Sequence, residues 1–250
     1  MLRSILRGMK LLWLLLAAAV GFALRRPKTA LEGAMRIHQL CRKIVAMLRI
    51  ECRVSGEVPQ DGAVVSNHLS YLDVVVMNAV RPFVMVAKSE VRRWPLLGGL
   101  TTQAGTVYVT RGGGPTTYPA VNAAMAAAYR SGLPALFFPE GTTTNGSEVL
   151  AFRRGLFHSV LNERVALRTA ALRYSVEHGS VEEDICWWGE MGLVPHLLRF
   201  LQLRDVQVEL QFGTEVRDRE DRFVLAVAAR EQVLEMYEGS AREAELVEAL

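Results

Sequence analysis

His68 and Asp73 stand five positions apart in the segment 65–73, VSNHLSYLD, an apolar run that ends among Asn67, His68, Ser70 and Asp73. A carboxylate that holds the proton of one imidazole nitrogen fixes the tautomer and frees the other nitrogen to take a proton from an incoming hydroxyl. The pair therefore suits general-base work, with His68 the base and Asp73 its orienter. Two further segments bear on chemistry. Residues 135–146, ALFFPEGTTTNG, leave an apolar strand pattern through Pro139 into Glu140 and Gly141, a turn where backbone N–H groups can hold an anion and Glu140 can bind hydroxyls. Residues 94–111, WPLLGGLTTQAGTVYVTR, end a strand pattern on Arg111, a natural partner for a phosphate or another acid. Each taken alone has an ordinary explanation: a capping histidine, a strand-exit turn, a solvated arginine.

The elements that must position these residues are legible as periodicity. From Gly62 onward, short apolar runs at 63–66, 83–87, 107–110, 135–138, 170–174 and 206–212 read as strands. Helical patterns lie between several of them, as at 118–131 and 154–161, and again at 221–237. Strand–helix alternation predicts an α/β sheet covered on both faces, and in such sheets ligands bind at the carboxyl ends of the strands, where His68 and Glu140 fall.

With 250 residues, half of them hydrophobic, the chain can bury a sizeable core, and it has neither a repeat nor a low-complexity tract. Three scattered cysteines, Cys41, Cys52 and Cys186, offer no CxxC or zinc-type spacing and read as reduced thiols. No G-x-S-x-G elbow, H-E-x-x-H, Walker loop or GxGxxG is present, so hydrolase-elbow, zincin and nucleotide readings lack local support. No metal and no cofactor is expected.

Charge is concentrated at the start: the net +3 divides into +9 for residues 1–53 and −6 for the rest. The basic residues flank the apolar run 11–24, LLWLLLAAAVGFAL, which points to lipid rather than nucleic acid as the partner. Fourteen helical residues rise about 21 Å, short of a hydrocarbon core of roughly 30 Å, so this run alone spans poorly. Three positive residues precede it (Arg3, Arg7, Lys10) and three follow (Arg25, Arg26, Lys28), which allows both ends to sit on one membrane face. Arg25-Arg26 follows the run at once without a small-x-small site, which favours an anchor over a cleaved signal. Beyond Pro27, Leu31, Ala34, Met35, Leu40, Cys41, Ile44, Val45 and Leu48 mark a basic amphipathic helix, either in the headgroup layer or on the surface of the globular part. Residues 1–53 thus read as membrane-associating helices and 54–250 as the α/β domain.

In combination the three segments resemble the lysophosphatidate acyltransferase family, the 1-acylglycerol-3-phosphate O-acyltransferases and related lysolipid acyltransferases. NHLSYLD is similar to its Asn-His-x-Ser-x-x-Asp block, and Lys88 through Trp94-Pro95, Gly98, Gly105 and Arg111 resembles its second block. Phe138-Pro139-Glu140-Gly141-Thr142 resembles the third, with Phe152-Arg153 and Gly155 where the family usually has Phe-Lys-x-Gly. The resemblance implies a mixed sheet wrapped by helices, the glycerophosphate acyltransferase fold, behind an N-terminal two-helix membrane motif. It also implies transfer of an acyl group from acyl-CoA or acyl carrier protein to the free sn-2 hydroxyl of 1-acylglycerol-3-phosphate, giving phosphatidate, without an acyl-enzyme. His68 and Asp73 would be the catalytic pair, Arg111 would bind the headgroup, and Glu140, Gly141 and Thr142 would shape the acceptor site. Lys88 and Arg153 are further candidates for an anion, either that headgroup or the donor's phosphate arm. The implied location is the cytoplasmic face of the inner or plasma membrane.

Two departures from the family pattern stand out, and the first bears on the acceptor. Thr143 stands where many members carry an arginine thought to help bind phosphate, and Thr169 stands where a proline often precedes the strand ending Leu-Arg-Tyr. The stretch 185–197, ICWWGEMGLVPHL, resembles a branch that includes lyso-ornithine lipid acyltransferases, which makes that lipid the alternative acceptor. A non-catalytic lipid-binding membrane protein and a thioesterase that activates water with the same pair are the readings from other classes.

Overall fold

The computed structural model describes residues 2–110 and 118–248. Its centre is β2 (Ala63–Ser66), four residues buried on both sides, as the unbroken run AVVS requires. Parallel to it lie β5 (Ala135–Phe137) and β6 (Leu167–Val176), and β3 (Val84–Lys88) and β4 (Val107–Val109) extend the parallel set beyond β5. On the other side β7 (Val206–Glu215) runs antiparallel to β6, and β1 (Glu51–Ser55) pairs in parallel with β7. The seven-stranded order is β1-β7-β6-β2-β5-β3-β4, the mixed α/β sheet expected. Five carboxyl ends, those of β2 to β6, therefore open on one rim, and the loops that carry His68, Lys88 and Glu140 leave from it.

Six strands answer the apolar runs read from the sequence; β1 was not expected there. Its ECRVS is mostly exposed and charged, which is how an edge strand avoids further pairing and why it shows no apolar pattern. Residues 53 and 54 both lie within β1, so a boundary between them cuts a strand of the sheet.

At the N-terminus α1 (Leu2–Leu24) is continuous over 23 residues, about 34 Å at the helical rise, longer than the apolar run because its first turns carry Arg3, Arg7 and Lys10. Among the described residues it is the one helix long and apolar enough to cross a membrane. Arg7 does not project into lipid. It is 8% exposed, and its guanidinium donates to the carbonyls of Leu203 (2.6 Å), Leu48 (3.1 Å) and Leu201 (3.3 Å). Leu48 ends α2 (Ala30–Leu48) and Leu201 caps α7 (Leu193–Phe200), helices whose last C=O groups have no intrahelical partner, and Leu203 lies in the loop before β7. Arg36 of α2 returns the service, donating to the carbonyls of Gly21 and Arg25 at the end of α1.

The apolar stripe of α2 faces the protein: Ala34, Leu40, Cys41, Ile44 and Leu48 are buried, and α2 packs on α3 (Tyr71–Val80). Of the two readings of this helix, the globular surface takes its apolar face, and only Leu31 and Met35 remain outward. Gly33 lies on the same buried face, where an added Cβ would come within 2.2 Å of the Gln103 carbonyl at the end of α4 (Leu97–Gln103). Alanine normally improves a helix interior by about 1 kcal/mol over glycine. Here Gly33→Ala is expected to lower stability by about 1–3 kcal/mol in urea unfolding, because two backbones must separate.

Candidate active site

Asp73 is fully buried and accepts four hydrogen bonds. Its Oδ2 receives His68 Nδ1 (2.7 Å) and the backbone N–H groups of Leu69 (2.7 Å) and Ser70 (2.9 Å); Oδ1 receives the Tyr174 hydroxyl (2.9 Å). Local sequence explains the placement. Ser70 is the N-cap of α3 and Asp73 its third helical residue, the position from which an acidic side chain folds back on the N-cap N–H. The bond that starts the helix is thus made by the carboxylate that orients the histidine.

An ionised carboxylate only accepts, so the Nδ1 facing Asp73 carries the proton and a neutral His68 keeps its lone pair on Nε2. The ring stacks on Phe138 (centroids 4.0 Å, planes 9° apart). Its side chain is 20% exposed while Asp73 is closed off, so the base has one open edge. Asn67, also buried, clamps β6 by donating to the Leu172 carbonyl (2.9 Å) and accepting the Leu172 N–H (2.8 Å), as a strand residue would. It prolongs the pairing of β2 past Ser66 and holds the following histidine at the rim.

Glu140 turns its carboxylate inward. It is 2% exposed, and both oxygens are engaged by backbone: His68 N–H at 2.7 Å and Leu150 N–H at 2.9 Å. Arg230, from α8 (Arg222–Glu248), holds the carbonyls of Val149 and Leu150 in turn. Glu140 is therefore a positioning residue that ties the β2 loop to the loop after β5, not a group open to a substrate hydroxyl. Gly141 adopts φ +72°, and an added Cβ would sit 2.7 Å from Nε of Arg153, whose N–H donates to the Pro139 carbonyl (2.8 Å). The Phe-Pro-Glu-Gly and Phe-Arg-Arg-Gly segments thus form one surface, with Arg153 and Thr142 exposed on it. Lys88 ends β3 on the same rim and is exposed. Arg111 lies outside the described residues.

Tyr174 and Asn67 are the site residues the sequence reading did not assign. Each is a polar side chain within an otherwise apolar strand or its exit, which marks a buried group in need of a partner. The Trp-Trp-Gly-Glu-Met stretch also closes on the catalytic loop: Trp187 N–H donates to the Leu69 carbonyl (2.9 Å), and its indole packs edge-on against Tyr71 and Trp94. Cys186 is a protonated thiol, pushed up to about 12 chiefly by burial, and no candidate nucleophile.

Comparisons with known proteins bear on the family and the fold. A family model described as Acyltransferase matches residues 49–172. Along 93% of its length the chain is 35% identical to a lyso-ornithine lipid O-acyltransferase of Pseudomonas aeruginosa, covering 92% of that protein. It is 30% identical to a 1-acyl-sn-glycerol-3-phosphate acyltransferase of Neisseria meningitidis, with 78% of each covered. The crystal structure of the 1-acyl-sn-glycerophosphate acyltransferase of Thermotoga maritima superposes with a TM-score of 0.64 at 16% identity, over 94% of this chain and 98% of that one, a likeness of fold. The chain belongs to this acyltransferase family.

Two substitutions test the wiring. Tyr174→Phe removes one donor from the buried Asp73 and should lower kcat about tenfold, with the acceptor KM little changed and a displaced pH–rate profile. Burial, ahead of every other cause, pushes the Glu140 carboxyl up to about 7 from 4.5. The folded state then holds that proton more tightly than the unfolded one. This contribution to stability is complete below about 4.5 and is lost as pH rises through about 7. Denaturant titrations between these limits should show the slope in the wild type and its loss in Glu140→Gln. The variant should also be less stable by about 1–3 kcal/mol, because an amide has one oxygen for two N–H donors.

Proposed function

We propose that the protein transfers an acyl group from a thioester donor, acyl-CoA or acyl carrier protein, to the free hydroxyl of a lysolipid at a membrane surface. The observation that carries this is the 2.7 Å bond from His68 Nδ1 to a buried Asp73, which leaves Nε2 on the open edge. Nε2 takes the proton of the acceptor hydroxyl as its oxygen bonds to the thioester carbonyl carbon. The tetrahedral intermediate collapses by breaking the carbon–sulfur bond, and the histidine returns the proton to the leaving thiolate. The aspartate holds the tautomer and stabilises the imidazolium between the two transfers. A thioester is already activated, so this route needs no cofactor and no covalent enzyme intermediate.

The acceptor the three sequence blocks imply is 1-acylglycerol-3-phosphate, giving phosphatidate; Arg111, Lys88, Arg153 and Thr142 are the residues proposed around it. A specific observation favours a second acceptor, lyso-ornithine lipid. The segment that resembles that branch is bonded to the catalytic loop through Trp187 and Leu69, and a relative so named is 35% identical over nearly its full length. Thr143, in place of an arginine, fits an acceptor without a phosphate. Transfer assays on membrane-reconstituted protein, with both acceptors and both donors in parallel, discriminate these. His68→Ala should lose at least about 100-fold in transfer to whichever acceptor is used. Retained transfer by that variant would defeat the general-base reading. Equal release of free fatty acid with and without acceptor would point to hydrolysis.

A further inference from the structure

The N-terminal end of α1 helps to form a cleft of about 790 Å3. Arg3, Arg7 and Lys10 of α1 line it together with Arg49, just after α2, and Arg204, just before β7. Five cations meet a single lining carboxylate, Asp205. Even with Glu177, which together with His178 lies within 4.8 Å of Asp205, positive groups outnumber negative ones. Arg7 forms the floor, its donors held by the helix-end carbonyls. Among the described residues no side-chain hydrogen bond or ion pair engages Arg3, Lys10, Arg49 or Arg204. Like charges gathered in excess of their counter-charges repel, and a phosphate bearing several acceptor oxygens relieves that repulsion and satisfies the guanidinium donors. Burial first, and then Arg3, Arg49 and Arg204, hold the Arg7 guanidinium below its ordinary range, so these charges act on one another.

The remaining walls say which anion. Leu6 and Met47 line the same cleft. Leu6 is half exposed and opens a stripe at helical spacing, Met9, Trp13, Leu16 and Val20, that continues along the outer side of α1. A headgroup in the cleft would have its acyl chains beside that stripe. The cleft is not the catalytic centre: β7 and β1, which Arg204 and Arg49 precede, lie two and three strands from β2, roughly 10–14 Å away.

We propose that this cleft seats the phosphate of an anionic membrane lipid other than the acyl acceptor, setting the start of α1 at headgroup depth. The inference rests on the membrane-surface reading above and adds to it a defined lipid seat. It is tested by co-sedimentation of the full chain with phosphatidylcholine vesicles, with and without phosphatidylglycerol. Arg49→Gln/Arg204→Gln is compared with Arg25→Gln/Arg26→Gln, which removes the same charge from the exposed far end of α1. Diffuse attraction would weaken both pairs alike, by about fivefold per cation. A built seat predicts that the cleft pair loses at least tenfold more of the phosphatidylglycerol preference than the control pair, at an unchanged unfolding midpoint, and that Arg49→Lys/Arg204→Lys regains most of it. Equal losses overturn the proposal. Displacement of the wild type by millimolar inorganic phosphate, with no loss in the cleft pair, also overturns it and assigns the cations to a soluble anion. Wild-type protein that binds both vesicles equally removes the lipid seat and leaves the membrane reading standing; binding to neither removes both.

Discussion

The buried carboxylate of Asp73 is the interaction on which the rest of the site depends. A fully buried ionised group is tolerated only when its lone pairs are met, and here four donors meet them from three parts of the chain: the histidine, two backbone N–H groups at the start of α3, and a phenol on β6. One group therefore begins a helix, orients a base and joins the β2 loop to the neighbouring strand. Removing it would leave several buried donors unpaired at once, so structure and chemistry are inseparable at this position.

Around that point the loops are fixed by backbone hydrogen bonds more than by contacts between side chains. Asn67 imitates a strand residue against Leu172, and Glu140 spans the backbones of His68 and Leu150. Each element of the site can then be traced to the exit of β2 or β5 or to the body of β6, held in register by the sheet. This rigidity sets the geometry of the His68–Asp73 pair before any ligand arrives.

The N-terminal helices follow the same logic of satisfied ends. Arg7 of α1 takes the carbonyl that ends α2, the one that caps α7 and that of Leu203 beyond it, and Arg36 of α2 takes those at the end of α1, so α1 is built into the protein while its outer side stays apolar. A helix bound on one side and apolar on the other is the arrangement of an amphipathic element at a membrane surface.

The sequence by itself determined the buried strands, the pairing of His68 with Asp73 and the family resemblance, because these reside in local signals: unbroken apolar runs for buried strands, a histidine and an aspartate within one turn of a helix start, and short blocks at characteristic spacing. It left undecided what depends on partners far along the chain. β1 is an exposed edge whose polar residues show no period, and its place in the sheet follows only from pairing with β7. Glu140 reads as a polar turn residue until folding brings Leu150 and His68 to its two oxygens, and Tyr174 reads as a strand residue until β6 lies beside α3. Arg7 reads as a charge at odds with an anchor until two helix ends converge on it. A buried polar group takes its role from its hydrogen-bond partners, and only the tertiary structure supplies those.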